Sequence, residues 1–392
     1  MIRDKEVREL SEGCPDTTRR ASILGELNGG IADLGVLLPF TLGLVMAGLV
    51  PASGALAGFG IAYLVSAAIY RAPIPVQPMK AIGAVALAGG LASGSLMLSG
   101  VAMGVALLLI GLSGTIRRLA YLVPQSVVAG LQLGLGAMLA HHAVSLVLPS
   151  VPVGAAAVAF LWLASGAGRL PGALLLVVLS AAVNAAFGAG PSPVAPPPGL
   201  TLPALSDLPA ALREGVVPQL PLTLTNAVLV TAVLARELFP DRRGRLTERR
   251  LCLTSGALNL LLCPMGAVPM CHGAGGLAAH HRFGARSGLG TGLLGAALLA
   301  LAFAPETAQL AALSLVPLPV LGALLLFGAA ELATSRRILD ATLSCRIVIA
   351  ITAVLTFLLD PAVAILIGLV AEAARRVIVR ALLAPDDARH RG

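Results

Sequence analysis

"RAPIPVQPMKAIGAVALAGG", residues 71–90, sets a lysine and three prolines where the surrounding sequence reads as membrane. A short β-like run, IPVQ, meets Pro78, Met79 and Lys80, and an apolar, glycine-rich helix follows. Unpaired extended backbone cannot face lipid, so such a run at membrane depth must be buried in protein or line a cavity. "GAVPMCHGAGG", residues 266–276, repeats the arrangement: a strand-like lead with Pro269, then a helix start rich in glycine.

The 392-residue chain is 57% hydrophobic and 12% charged, with a mean hydropathy of +0.92. So few charges over such a length exclude a soluble globular domain and point to an integral membrane protein. The apolar segments have helix period rather than alternation, which excludes an outer-membrane barrel. The first twenty residues hold five basic and five acidic side chains and no apolar core, and read as a cytosolic tail rather than a signal peptide. Five cysteines without a CxxC pair indicate neither a disulfide framework nor a metal site, and Cys263 and Cys271 read as structural. The net charge of +8 with 3% aromatics fits loop arginines that set membrane orientation, not a nucleic-acid surface.

Fourteen apolar segments can be placed, near 24–46, 52–70, 78–91, 95–115, 121–148, 151–165, 171–189, 216–238, 247–263, 271–281, 288–304, 307–333, 345–359 and 361–383. With the N-terminus inside, the even-numbered gaps hold Arg71, Arg117, Arg118, Arg169, the run "RELFPDRRGRLTERR", Arg282, Arg286, Arg336 and Arg337. The odd-numbered gaps hold Arg213 alone. This positive-inside pattern puts both termini in the cytoplasm. The expected location is a bacterial inner membrane.

The chain also repeats itself. Pro75 and Pro269 are 194 residues apart, and Pro171 and Pro361 are 190 apart. A unit of seven spans re-enters the membrane upside down. The expected fold is therefore an all-α polytopic membrane protein of fourteen transmembrane segments in a 7+7 inverted repeat, with two half-helices each preceded by a short β-strand. Its parts are a cytosolic tail (1–23), a first repeat (24–190), a proline-rich outer linker with a short surface helix (191–215), a second repeat (216–383) and a cytosolic tail (384–392).

Crossing antiparallel, the two leads can pair as a two-stranded ribbon and aim both helix starts at one spot. Each helix N-terminus presents free N–H groups and about half a positive charge, so two of them attract an anion, preferably one with several oxygens. Gly273, Gly275 and Gly276 allow close approach of a ligand to the backbone. Pro78 suits a first helical position. Gln77, Met79, Cys271, His272 and Ala274 flank the two starts. Lys80 is one of two lysines against 25 arginines, and an intramembrane charge is a functional candidate by default. Asn28, Glu26 and Asp33 in the first span, and Gln219, Thr223 and Asn226 in the eighth, pass beside the site. Asp33 and Glu26 are candidates for coupling, with Asp33 holding either a proton or Lys80.

At these residues the chain resembles a known family. "PVQPMKAI" and "VPMCHGAGGLAAHHRFGARSG" are similar to the paired signatures of the molybdate transporters, distant relatives of the sulfate permeases. "GELNGGIADLG" with "LPF", and "PQLPLTLTNAVLVTAVLARELFP", resemble that family's first and eighth spans. The resemblance runs from about Gly25 to the last span. It implies the uracil/sulfate permease-type fold in core and gate domains, and molybdate as substrate. The short C-terminus implies no regulatory domain, as in the molybdate branch. The second signature departs from the family at "AAHHRFG", where His280 and His281 read as surface histidines at the cytosolic end.

The residues by themselves indicate an oxyanion carrier without cofactor. A sulfate carrier, an anion channel and a nucleobase–proton symporter of the same fold remain alternatives. A membrane enzyme would need a clustered acid, base or metal set that the chain does not display. The partners expected are the oxyanion and the lipid bilayer, with a homodimer open and no nucleic acid.

Overall fold

The computed structural model describes residues 22–166, 171–187, 192–194, 203–334, 338 and 340–383. Nearly all of both expected tails lies outside them, as do Arg169, Arg336, Arg337 and residues 191 and 195–202 of the proline-rich linker. The chain is mostly helical. In order run α1 (Ile23–Gly30), α2 (Leu34–Met46), α3 (Ala52–Tyr70), β1 (Gln77–Pro78), α4 (Lys80–Leu87), α5 (Ser93–Ser113), α6 (Ile116–Ala120), α7 (Gln125–Val147), α8 (Val151–Gly166) and α9 (Gly172–Phe187). Then follow α10 (Leu205–Leu238), α11 (Glu248–Leu262), β2 (Met270–Cys271), α12 (Ala274–Arg282), α13 (Leu289–Ala302), α14 (Glu306–Ser314), α15 (Leu318–Ala333), α16 (Leu343–Leu358) and α17 (Pro361–Leu383).

Among the described residues, five helical stretches are long and apolar enough to cross a bilayer unaided: Ile23–Met46, Ala52–Tyr70, Ser93–Ser113, Gln125–Ser165 and Leu205–Leu238. The segment expected as one span over 307–333 is divided between α14 and α15, and α14 turns by 109° from α13. Pro317 and Pro319 explain the division, since neither can donate into a helix running through them. α10 begins at Leu205, inside the stretch expected as linker. Pro218 and Pro221 interrupt its ladder, and π-type turns lie beside them at Ala211–Val216 and Thr223–Val230. Apolar side chains such as Leu112, Trp162, Val178 and Val370 stand exposed on the outer faces. That suits contact with lipid tails.

The two expected leads form as anticipated. α3 ends at Arg71 in a left-handed conformation (φ 54°), and Pro73 and Pro75 keep the next residues from continuing it. α11 ends in a turn at Cys263–Met265, closed by Gly266 at φ 84°. β1 and β2 then pair antiparallel, with Gln77 opposite Cys271 and Pro78 opposite Met270. Pro78 is thus a strand residue, and α4 opens two positions later at Lys80. The Met79 N–H extends the ribbon by donating to the Pro269 carbonyl at 2.8 Å.

The far edge of β2 is closed by a side chain. Fully buried Asn259 accepts from the Met270 N–H at 2.8 Å and donates to the Met270 carbonyl at 2.5 Å, as a third strand would. His272 cross-braces the leads. Its Nδ1 lies 2.8 Å from the Pro75 carbonyl, which can only accept, so Nδ1 carries the proton; Nε2 lies 3.0 Å from the Thr254 hydroxyl.

Helix packing surrounds the ribbon. α3 lies on α13, α5 on α11 and α7 on α15, while α16 packs on α7 and α8 on α15. Close crossings use glycine: a Cβ on Gly60 would meet the backbone of Leu299 at 2.7 Å, and one on Gly104 the backbone of Leu260 at 2.6 Å.

Candidate anion-binding site

A cavity of about 360 Å³ lies where α4 and α12 begin. A water molecule takes about 30 Å³ of liquid, so this volume holds a small ion with several waters. The ribbon and α4 contribute Gln77, Pro78 and Lys80, and β2 with the start of α12 contributes Cys271 through Gly275. α10 adds Gln219 and Asn226 on one wall; Gln132 of α7 and Glu331 of α15 stand on another.

The α12 end is the open one. Its first intrahelical bond runs from the Leu277 N–H to the Gly273 carbonyl at 3.1 Å, so the N–H groups of Ala274, Gly275 and Gly276 have no acceptor within the helix. A Cβ on Gly275 would meet nothing within 4 Å, whereas one on Gly276 would sit 2.5 Å from Gln77 Nε2 and 2.6 Å from Asp33 Oδ1. Gly276 therefore lets α12 approach the ribbon, and Gly275 leaves bare backbone at the cavity.

The α4 end is partly taken. Gln219 Oε1 accepts from the N–H of Ala81 at 2.9 Å and of Ile82 at 3.3 Å, and its Nε2 donates to Thr223 Oγ1 at 2.9 Å. What α4 offers is the side chain of Lys80 at its first position, and this too is engaged: Nζ lies 2.7 Å from Glu331 Oε1. The positive potential of two helix ends, about one unit in sum, is thus supplemented by a lysine already paired with a carboxylate.

The family model described as "Molybdate transporter of MFS superfamily" matches residues 25–139 and 211–332, more than half of the chain. The chain belongs to this molybdate transporter family. Molybdate transporter 1 of Arabidopsis thaliana is 32% identical over 372 residues, 81% of this chain and 80% of the relative. Molybdate transporter 1 of Chlamydomonas reinhardtii is 28% identical over 430 residues, 79% of this chain and 83% of the relative. These relatives are named as transporters, not enzymes. The fold is similar to that of the transmembrane domain of the cyanobacterium bicarbonate transporter BicA, with a TM-score of 0.64 at 18% identity over 88% of this chain and 96% of that one. It is also similar to SLC26A9, with a TM-score of 0.65 at 11% identity over 96% of this chain and 70% of that one.

In this molybdate-family chain the cavity gathers Gln77, Pro78, Lys80, Gln219, Asn226, Cys271, His272, Gly273, Ala274 and Gly275. Five sequence candidates stand apart from it. Met79 is buried as the cap of α4, and Thr223 serves as the partner of Gln219. Asn28 is exposed on α1, on the face turned away from the core. Asp33 is buried behind the cavity, accepting from Gln77 Nε2 at 2.5 Å and Tyr63 Oη at 3.3 Å. The expected Asp33–Lys80 pair is not formed, because Glu331 is the carboxylate within reach of Nζ. Glu26 accepts from the N–H groups of Arg286 at 2.9 Å, Ser287 at 2.8 Å and Gly290 at 3.2 Å. It caps the start of α13 and holds no place at the site.

His280 and His281 are buried, not surface residues. α12 lies against α1, so its last turn is covered; His280 Nδ1 bonds the Gly29 carbonyl, and His281 stands edge-on to Phe239 at 5.6 Å between ring centroids. Sequence reasoning passes over Glu331 and Gln132. Glu331 carries the same signal that singles out Lys80, a charge inside an apolar helix. Gln132 carries none, being an uncharged amide in a largely apolar helix.

Proposed function

We propose that this protein is a secondary transporter that carries molybdate by alternating access, with the anion held between the starts of α4 and α12. The observation that carries this reading is a cavity lined by Lys80 and by Ala274 and Gly275, whose N–H groups have no acceptor within α12. The names of the family and its relatives support molybdate as the substrate. In this reading the N–H groups of Ala274, Gly275 and Gly276 bind oxyanion oxygens, and Lys80 supplies charge. Gln77, Asn226 and Gln132 complete the shell with side-chain amides. Gln132 is buried with its Oε1 unpaired among the described residues, and a half-turn of the amide presents N–H to the cavity. Asp33, bound to Gln77, is the candidate for coupling to a proton.

The fourteen-span, 7+7 inverted arrangement belongs to the same proposal. It is supported by helix pairs that match under an exchange of halves: α3 on α13 with α11 on α5, and α16 on α7 with α8 on α15. The glycines at two of these crossings match as well, Gly60 with Gly256 at 196 residues and Gly104 with Gly295 at 191. A core body of α1–α5 with α10–α13 would move against a gate body of α6–α9 with α14–α17. The arginine distribution supports cytoplasmic termini.

Uptake of radiolabelled molybdate into proteoliposomes tests the reading, with tungstate, sulfate and uracil as competitors. Saturable uptake that tungstate inhibits and uracil does not is expected. Strong competition by uracil, or flux that does not saturate or show counter-exchange, would sink it.

A further inference from the structure

Glu331 is not placed to favour its own helix. It lies in the last turn of α15, where the carbonyl end of the dipole disfavours a carboxylate, and that turn holds no basic residue. Its ion-pair partner among the described residues is Lys80, which stands on a different wall of the cavity. The pair is neither sealed in the core nor on an outer surface: its side chains keep 25% and 37% exposure where the cavity opens.

We propose that the Glu331 carboxylate is a built-in stand-in for the transported oxyanion: it occupies Lys80 in the empty carrier, and the arriving oxyanion takes Lys80 from it. The inference rests on the reading of the cavity as an oxyanion site. A carboxylate and a tetrahedral oxyanion offer an ammonium the same kind of acceptor oxygen. Both cannot sit at hydrogen-bond distance from Nζ without bringing two like charges side by side, and their mutual repulsion opposes holding both at once. A dianion wins the exchange because it also gains the N–H groups of α12, which Glu331 does not reach. Once displaced, Glu331 faces the anion and its own helix end, and the tie between α4 and α15 is cut. Binding thereby releases the one ion pair joining these two helices among the described residues. When the anion leaves, Glu331 returns to Lys80, so the empty cavity is left with a neutral pair instead of a bare cation. The arrangement trades affinity for release.

Two measurements test this. Calorimetric titration of molybdate into purified, monodisperse wild type and Glu331→Gln compares affinity with and without the internal competitor. The variant is expected to bind about tenfold more tightly, since it leaves a full ammonium to the ligand. The second uses wild-type protein and so does not depend on the variant folding. A membrane-permeant carbodiimide activates a carboxyl group, and a lysine amine in contact with it, on losing its proton, displaces the urea to form an amide; peptide mass spectrometry reads the Lys80–Glu331 link. The link is expected in empty protein and should fall at saturating molybdate. An affinity of Glu331→Gln within twofold of wild type, or weaker, would overturn the proposal. So would a link whose yield molybdate does not change. Wild-type protein that forms the link but binds no molybdate, tungstate or sulfate would instead overturn the functional reading beneath it.

Discussion

Replacing Gly275 with alanine should make the protein more stable and a worse binder at once. The added Cβ meets nothing within 4 Å and the residue is already helical, so the fold gains the usual advantage of alanine over glycine in a helix, about 0.5–1 kcal/mol. The methyl projects from bare backbone that lines the cavity, and it stands where an oxyanion must approach the first N–H groups of α12. Losing one charge-assisted hydrogen bond costs about 1.5–3 kcal/mol, a fall of about ten- to a hundredfold in affinity. Gly276→Ala provides the contrast one residue away. Its Cβ would come to 2.5 Å from Gln77 and 2.6 Å from Asp33, and overpacking of this kind costs about 1–3 kcal/mol. Thermal unfolding in detergent and calorimetry with molybdate separate the two effects. A Gly275→Ala protein that is stabilised yet binds like wild type would show that the anion does not sit on the α12 backbone.

Lys80→Met should weaken molybdate binding by tenfold or more, from the loss of a charged contact of about 1.5–3 kcal/mol. Its melting temperature should scarcely move, because a partly exposed ion pair contributes only about 0–1 kcal/mol; calorimetry within twofold of wild type would make Lys80 a structural residue. Asn259→Ala leaves the buried N–H and carbonyl of Met270 unpaired at one edge and should cost about 2 kcal/mol or more in unfolding experiments. Unchanged stability would mean the ribbon does not need its third partner. Asp33→Asn keeps the shape beside Gln77 but removes the charge, and should slow uptake into proteoliposomes. A wild-type rate with a wild-type pH dependence would exclude a coupling role.

The two breaks were legible because proline and glycine punctuate segments that are otherwise uniformly apolar. Pro75 and Pro269 forbid helix at matching places, and an extended lead in a membrane has few ways to satisfy its backbone; pairing with the other lead is the simplest. Other features depend on contacts between distant parts of the chain, which periodicity does not encode. Gln219 lies 138 residues from the Ala81 N–H it caps, and Glu331 lies 251 residues from Lys80. Lys80 could be picked out as an intramembrane charge, but its partner could not: the sequence points to Asp33, and only the placing of α4 relative to α15 brings Glu331 to it. Glu26 reads as a coupling residue because a carboxylate in an apolar span has no visible use, whereas in the fold it caps α13. The two histidines fail for the opposite reason. A polar pair beside arginines reads as surface, yet α1 and Phe239 cover it.

The central claim is that an oxyanion rests between the starts of α4 and α12. The most direct test is a structure determined with tungstate, whose electron-dense metal marks the ion unambiguously. That density is expected within the cavity, with oxygens at about 2.7–3.1 Å from the N–H groups of Ala274–Gly276 and from Lys80 Nζ, the range for charged hydrogen bonds. Density elsewhere at a saturating tungstate concentration, with the cavity holding water alone, would contradict it.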